Sequence, residues 1–579
     1  MKENSKSRIF LVLVVWFIIA LALRLINLTG KPPWTDEFST LVFSLGNSFL
    51  NVPLNKAIAV DTLLQPLQPR ATAGIADVFS HLLTESNHPP VYFVLCHWWL
   101  KLFSTQQGLV SLRGARSLAA VLGALSIPAI YGFSWIAFRS LVVSHIAAAM
   151  MAVSPFSIFL AQEARHYTLV ILWVVGSFSC LLMAIDHIQT KTKLPMWLTL
   201  CWVSINALGI ASHYFFVLTL FTSGGVLIFL AGRQYWQGKK EARGQGAGSR
   251  GRQGDAFLFL KSPWRQIYIV AVGTLVAGLV WLPVFFQNSY GNQLTEWIQG
   301  DKSGLAWLNP IFQALAGWIT MISLLPVESS QLWVVIASGF VMIVFFIWAI
   351  PLLWRGVKVR LQEPQTHLIT LVLMGLIALA IALFFIFTYF LGIDLTRGAR
   401  YNFVYFPAVI VLLAASLGIY WQNSSAEMQR WGIGGKQVVA LIWLMGLLSV
   451  ITVVNNLGYQ KYYRPDSLVQ LVTNTSNQPV LIATSQKTHV QIGEMMGVAR
   501  EFKLTNSSLN PLFLLAHQKQ NPHTSITSLE HTLNLAPRPV DLWLVNFRAP
   551  VPLSLPQCTL DTQPLPAIDG YEYKLYHCL

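Results

Sequence analysis

Charge is what this 579-residue chain has least of. Only 11% of its residues are Asp, Glu, Lys or Arg, whereas 54% are hydrophobic; soluble globular domains carry about 25% charged residues. That scarcity excludes a soluble enzyme, and the long apolar runs make the chain a polytopic membrane protein. Cysteine is scarce too, with five residues and no CxxC or Cys/His metal spacing, so a cysteine-based metal site has no support. Cys96, Cys180 and Cys201 fall in apolar segments as small packing residues. Cys558 and Cys578 lie in a polar C-terminal region, where a disulfide can close the final stretch if that region is outside the cytoplasm. That region also lacks GxGxxG and GxxxxGK, so no Gly-rich turn cradles a nucleotide phosphate there.

Aromatic residues are plentiful: 21 Trp, 34 Phe and 17 Tyr. They suit interface belts and an apolar interior and carry no functional message by themselves. The net charge of +15 would hint at nucleic acid in a soluble protein, but its placement excludes that reading. Between Arg233 and Arg265, eight basic residues face two acids, Glu241 and Asp255. This is the positive-inside signature of a cytoplasmic loop beside anionic lipid, and its Gly244 to Gly254 stretch reads as flexible linker.

The basic N-terminus is followed by an apolar run, Ile9 to Leu28. With no small-residue cleavage site after it and Arg24 near its end, the run is expected to be a retained anchor. Further apolar spans cover approximately 116–138, 141–160, 166–187, 195–211, 213–231, 266–286, 332–354, 367–393, 402–421 and 438–455. With the first they make eleven, and two ambiguous stretches, 89–104 and 311–326, extend the expected range to 13. The stretch from Pro89 to Phe103 is short for a span and is read as interfacial or re-entrant. Arg139, Lys191, Lys193, Arg355 to Arg360 and Arg430 to Lys436 then all fall on the cytoplasmic side with the 233–265 loop. The expected division is a membrane domain, 1–455, with a first outer loop at 29–115, and an extracytoplasmic α/β domain, 456–579. Within the latter, Pro479 to Thr484, Val540 to Asn546 and Tyr571 to Cys578 read as strands and Gln491 to Phe502 as a helix.

With this orientation, ionisable residues gather at the outer turns. Asp36 and Glu37 follow the first span; Glu85 and His88 close the first outer loop; Glu163, Arg165, His166 and Tyr167 form the next turn; then come His213-Tyr214, and Asp394, Arg397, Arg400 and Tyr401. Such groups cost roughly 2.5–3.5 kcal/mol each near membrane depth and are usually paired or used. A carboxylate there can act as general base, while arginine's planar fork suits a phosphate. Together, beside lipid, they describe transfer from a lipid-phosphate donor. A divalent cation is a further option, though no ligand spacing fixes one, and no cofactor is otherwise expected.

Several motifs in order carry a resemblance. Trp34-Thr-Asp-Glu37, His88-Pro-Pro-Val-Tyr92, Arg113-Gly-Ala-Arg-Ser-Leu118, Ser154-Pro-Phe before Gln162-Glu-Ala-Arg-His-Tyr167, and Arg400-Tyr401 ahead of Pro407 resemble the membrane glycosyltransferases of superfamily C. More narrowly, they are similar to the protein O-mannosyltransferase and aminoarabinose transferase relatives. The resemblance implies a multi-pass enzyme of the plasma (inner) membrane that takes a sugar from a polyprenyl-phosphate donor with inversion and passes it to a lipid, glycan or protein acceptor outside the cytoplasm. It further implies Asp36 as catalytic base beside Glu37. Position and charge make Arg165 and Arg400 candidates for the donor phosphate, with Tyr401, His88, Glu163, Tyr167 and His213 as substrate-binding neighbours. The C-terminal region matches no family motif. A lipid or glycan transporter or flippase is the alternative, but it would place its charges near the bilayer midplane.

Overall fold

A computed structural model describes residues 2–244, 264–287, 298–299, 304–422, 434–505, 507, 509–518, 523–550, 555 and 557–579. Most of the 233–265 loop, with its Gly-rich linker, and Arg430 lie outside the described residues. The chain divides into two compact units. The first lies within Met1–Asn27, Ala119–Gln287 and Thr295–Tyr459, and the second comprises Leu28–Leu118 and Gln460–Leu579 in its described part.

The first unit is helical. Among the described residues, seven of the expected spans are helices long and apolar enough to cross a membrane. The expected 141–160 span is a bent pair, Leu141–Val153 and Pro155–Ala161. The expected first, 195–211 and 402–421 spans are shorter apolar helices, Ile9–Leu25, Met196–Ser212 and Phe406–Gln422. The chain is therefore a multi-pass membrane protein.

The bend has a local cause. Pro155 pushes Ser154 out of the helical region, to ψ 122°, and the next helix starts with the proline in its first turn, where its missing N–H is not needed. The break of 56° leaves carbonyls of the first segment without helical partners: that of Met151 would have bonded to residue 155, which has no N–H. Arg24, fully buried, takes them up. Its guanidinium donates to Met151 O (3.2 Å), Ala152 O (3.4 Å) and Ser157 Oγ (2.7 Å). An arginine in the first span is thus the partner of a proline break 130 residues away in sequence.

Residues 304–322 form a further stretch long enough to cross, overlapping the ambiguous 311–326. Its bonds tie it to one set of helix ends. Gln313 accepts from Thr396 Oγ1 (2.9 Å), Trp318 Nε1 donates to Tyr405 OH (2.9 Å), Met321 O accepts from Ser154 Oγ (2.8 Å), and Leu324 N donates to Ser449 Oγ (2.9 Å). These bonds join it to the 394–405 segment, to the Ser154 break and to the last turns of helix Gly435–Val454.

The second unit contains a six-stranded sheet: β1 (Ala57–Ala59), β2 (Val480–Gln486), β3 (Leu512–His517), β4 (Val540–Val545), β5 (Cys558–Leu560) and β6 (Tyr573–Cys578), in the order β1-β3-β2-β4-β6-β5. The three central strands, β3-β2-β4, are parallel, joined by the crossover helices His489–Leu504 and His523–Leu535. The outer strands run antiparallel, and Cys558 is disulfide-bonded to Cys578. β1 comes from the first loop, with Ile58 opposite Phe513. The structure therefore groups 28–118 with the C-terminal sheet, where the sequence division kept 29–115 with the membrane domain. A three-residue strand offers no periodicity to read.

Candidate active site

The expected site residues fall into two groups, one in each unit. In the second unit, Asp36 and Glu37 occupy the first turn of helix Thr35–Ser44, where acidic residues complement the positive helix end. Adjacent helix positions point about 100° apart, given 3.6 residues per turn, and the two carboxylates have different surroundings. Glu37 is fully buried and accepts two parallel bonds from Arg116: Nε to Oε1 at 2.8 Å and Nη2 to Oε2 at 2.7 Å. The same guanidinium donates from Nη1 to the carbonyls of Leu28 (2.9 Å) and Lys31 (2.8 Å). Arg116 thereby fixes the segment that leads into the acidic pair. Asp36 is only half-buried.

The C-terminal helix His489–Leu504 packs against this turn. Gly493 and Gly497 face Phe38, where a side-chain carbon built at either position would make ordinary contact at 3.5 Å. His489, Gly493, Gly497 and Arg500 share one face of that helix by their spacing. The His489 ring stacks on Phe49 at 5.0 Å, and burial pushes its imidazole down to about 4 against the opposing pull of Asp36. Burial also holds the Arg500 guanidinium below the usual arginine range, with Glu501, Arg116 and Glu37 within electrostatic reach. Lys461 Nζ sits 4.9 Å from the Trp34 ring centre. His88 is placed by Ser86, whose Oγ lies 3.1 Å from His88 Nδ1, and Glu85 accepts from Ser48 Oγ at 2.7 Å.

In the first unit, the 162–166 turn, the 213–215 turn and the 399–404 segment converge. Glu163, Arg165, His166 and Tyr167 are all buried. The His213 ring centre lies 4.5 Å from His166, 5.8 Å from Tyr167, 5.1 Å from Phe403 and 6.2 Å from Tyr401. Arg165 sits over Tyr167 at 5.9 Å and Arg400 over Tyr401 at 5.5 Å. Two guanidinium groups therefore flank one aromatic array whose centre is His213. Phe215 N–H donates to His213 Nδ1 (3.0 Å), which puts the proton of the neutral ring on Nε2. Asp394 accepts from Thr396 N (3.1 Å) and Thr396 Oγ1 (2.6 Å) and faces Arg397 at 3.5 Å, so it shapes the turn before Arg400.

The structure brings together Arg165, Tyr167, His213, Arg400 and Tyr401 as one cluster. Sequence reasoning did not single out Arg116, although it stands in the quoted 113–118 motif. It also missed His489 and Arg500, for which the spacing along one helix face was the available signal. Among the described residues, no group of three or more His, Cys, Asp or Glu side chains converges as a metal site.

No family model matches the chain, and no curated protein matches it. Solved structures do. The chain is similar to ArnT from Cupriavidus metallidurans bound to undecaprenyl phosphate, at 11% identity over 92% of each chain, with a TM-score of 0.47. It is also similar to the oligosaccharyltransferase of Archaeoglobus fulgidus in the apo form, at 14% identity over 93% of this chain and 69% of that one, TM-score 0.44. A third is the archaeal oligosaccharyltransferase AglB from the same organism in complex with an inhibitory peptide and a dolichol-phosphate, at 13% identity over 93% and 69%, TM-score 0.43. At these identities and scores the likeness assigns no residue a role.

Proposed function

We propose that the protein is an integral-membrane glycosyltransferase that moves a sugar from a polyprenyl-phosphate donor to an acceptor on the extracytoplasmic side. The observation that carries this reading is the pair of arginines, Arg165 and Arg400, held over tyrosines on either side of His213. A planar guanidinium donates two parallel bonds to a phosphate, and aromatic rings are a surface on which a sugar face can pack. The arginines would stabilise the charge that grows on the phosphate oxygen as its bond to the anomeric carbon breaks.

Asp36 would remove the proton from the attacking acceptor atom, which bonds to the anomeric carbon from the face opposite the departing phosphate and so inverts it. The bonding electrons of the sugar–phosphate linkage leave on the phosphate. Glu37, engaged by Arg116, would hold the turn that presents Asp36. The disulfide between Cys558 and Cys578 supports an oxidising compartment for the second unit, as does the expected placement of the basic loops on the opposite side.

Purified protein reconstituted in lipid and supplied with polyprenyl-phosphate sugars should turn over donor. Asp36→Asn should lower that rate about 10²–10⁴-fold, the range of a lost general base. Undiminished transfer by a stably folded Asp36→Asn protein would remove Asp36 from the mechanism.

A further inference from the structure

A groove of about 430 Å³ opens on the first unit, at the helix ends opposite the arginine–tyrosine cluster. Its walls include Trp16, Val142, His145, Trp421, Val439 and Trp443, drawn from the N-terminal helix and from helices Leu141–Val153, Phe406–Gln422 and Gly435–Val454. The separation from the proposed donor site follows from helix Phe406–Gln422. Arg400 and Tyr401 precede its start, whereas Trp421 is at its end, 15 residues and about 22 Å on. A donor phosphate held at Arg400 cannot also lie at this groove.

The groove is apolar inside and cationic at its mouth. Lys436 Nζ lies 5.8 Å from the Trp421 ring centre, one residue into helix Gly435–Val454. Arg139, exposed, immediately precedes Ser140, the N-cap of helix Leu141–Val153. Two helix N-termini, each with partial positive charge, therefore meet two cationic side chains at the same end. Deeper in, Trp16 and Trp443 approach to 6.0 Å between ring centres, and Trp443 Nε1 is spent on Ala149 O (3.2 Å).

His145 is the only titratable side chain among the described residues that line the groove. Its ring is edge-on to Tyr131 at 5.0 Å, and its Nδ1 is buried without a hydrogen-bond partner among the described residues. The polarity it presents is thus that of Nε2. It lies five residues past the Ser140 cap, about 7.5 Å further along the helix axis. The polar layer of a bilayer is about 5–7.5 Å thick on each side of the hydrocarbon core, so His145 stands at the depth of a glycerol ester when Arg139 and Lys436 stand at that of a phosphate.

From this arrangement we infer that the groove is a binding site for one anionic membrane phospholipid of the leaflet that faces the basic loops. Its acyl chain lies along the wall that the contacting rings of Trp16 and Trp443 form, its phosphate lies at Arg139 and Lys436, and an ester carbonyl accepts from His145 Nε2. The charge at the mouth selects an anionic headgroup over a zwitterionic one, and the leaflet with the excess of Lys and Arg is where anionic lipid attracts such residues.

The test uses the full chain in phosphatidylcholine nanodiscs doped with phosphatidylglycerol, with bound lipid counted by native mass spectrometry after release. Wild type should retain phosphatidylglycerol in preference to phosphatidylcholine. Each basic side chain near the surface is worth about a 5-fold preference, so the double variant Arg139→Glu/Lys436→Glu should lower that preference at least about 25-fold. Val142→Trp fills the groove while leaving both cations in place, and it should also abolish retention; this arm decides the matter if the double variant fails to fold. Equal retention of the two lipids by wild type would overturn the inference. So would retention unchanged by Val142→Trp, or retention of added polyprenyl phosphate alone.

Discussion

The two units hold their arginines in contrasting ways. In the second unit, Arg116 is fully buried and locked bidentate onto a fully buried glutamate; in the first, Arg165 and Arg400 lie over tyrosine rings at 5.5–5.9 Å. A desolvated ion pair is a rigid structural element, because removing one partner strands a charge in a low dielectric. A cation over an aromatic ring is worth about 0.5–2 kcal/mol and leaves little behind when it is lost. Damage to the first kind of contact is expected to appear in folding, and damage to the second in substrate handling.

The largest effect is expected at the buried pair. Arg116→Ala should destabilise the protein by about 3–5 kcal/mol, the range for breaking a buried ion pair, seen as a lower chemical or thermal unfolding midpoint. A loss under about 1 kcal/mol would place Glu37 and Arg116 in the same class as a surface pair and end the contrast.

A second buried carboxylate sharpens it. Glu494 has Asn546 Nδ2 as a hydrogen-bond donor, and burial pushes its carboxyl up to about 7. It is expected to be neutral below that pH. With a folded value above the unfolded one, near 4.3, stability is greatest below the unfolded value and falls as pH rises from about 4.5 to about 7. The expected loss is about 4 kcal/mol at 1.36 kcal/mol per unit. Glu494→Gln should flatten that part of the stability–pH curve; an unaltered curve would show that Glu494 ionises in the folded state as readily as in the unfolded one.

The smallest effect on stability is expected in the aromatic array. Loss of the Tyr167 contact in Arg165→Ala should contribute about 0.5–2 kcal/mol to the shift in unfolding. Losing a charged hydrogen bond, worth about 1.5–3 kcal/mol, should nevertheless lower donor turnover about 10–100-fold. Arg165→Ala protein that turns over donor at the wild-type rate would remove it from the donor site, whereas one that fails to fold would make it a structural residue like Arg116.

Much of the helical unit was legible because apolar length is a local property: seven expected spans are long apolar helices, and the three shorter ones fall where they were expected. The helix and the strands read in the C-terminal region correspond to His489–Leu504, β2, β4 and β6. β3 escaped notice because Leu512-Phe-Leu-Leu-Ala is buried almost throughout, and a strand covered on both faces has no alternation. Arg24 was visible only as an interruption near the end of a span, since its partners lie in residues 151–157.

Composition, hydropathy and the placement of basic residues by themselves determined that the chain is a multi-pass membrane protein with a small α/β region, and pointed to the turns where ionisable residues gather. These are properties of single segments, set by the solvent each must face. Only the tertiary structure decided that the first loop adds a strand to the C-terminal sheet, that Glu37 belongs to Arg116, and that His213 stands between two arginine–tyrosine pairs. Those outcomes depend on which distant side chains share one buried volume, and no local periodicity records that.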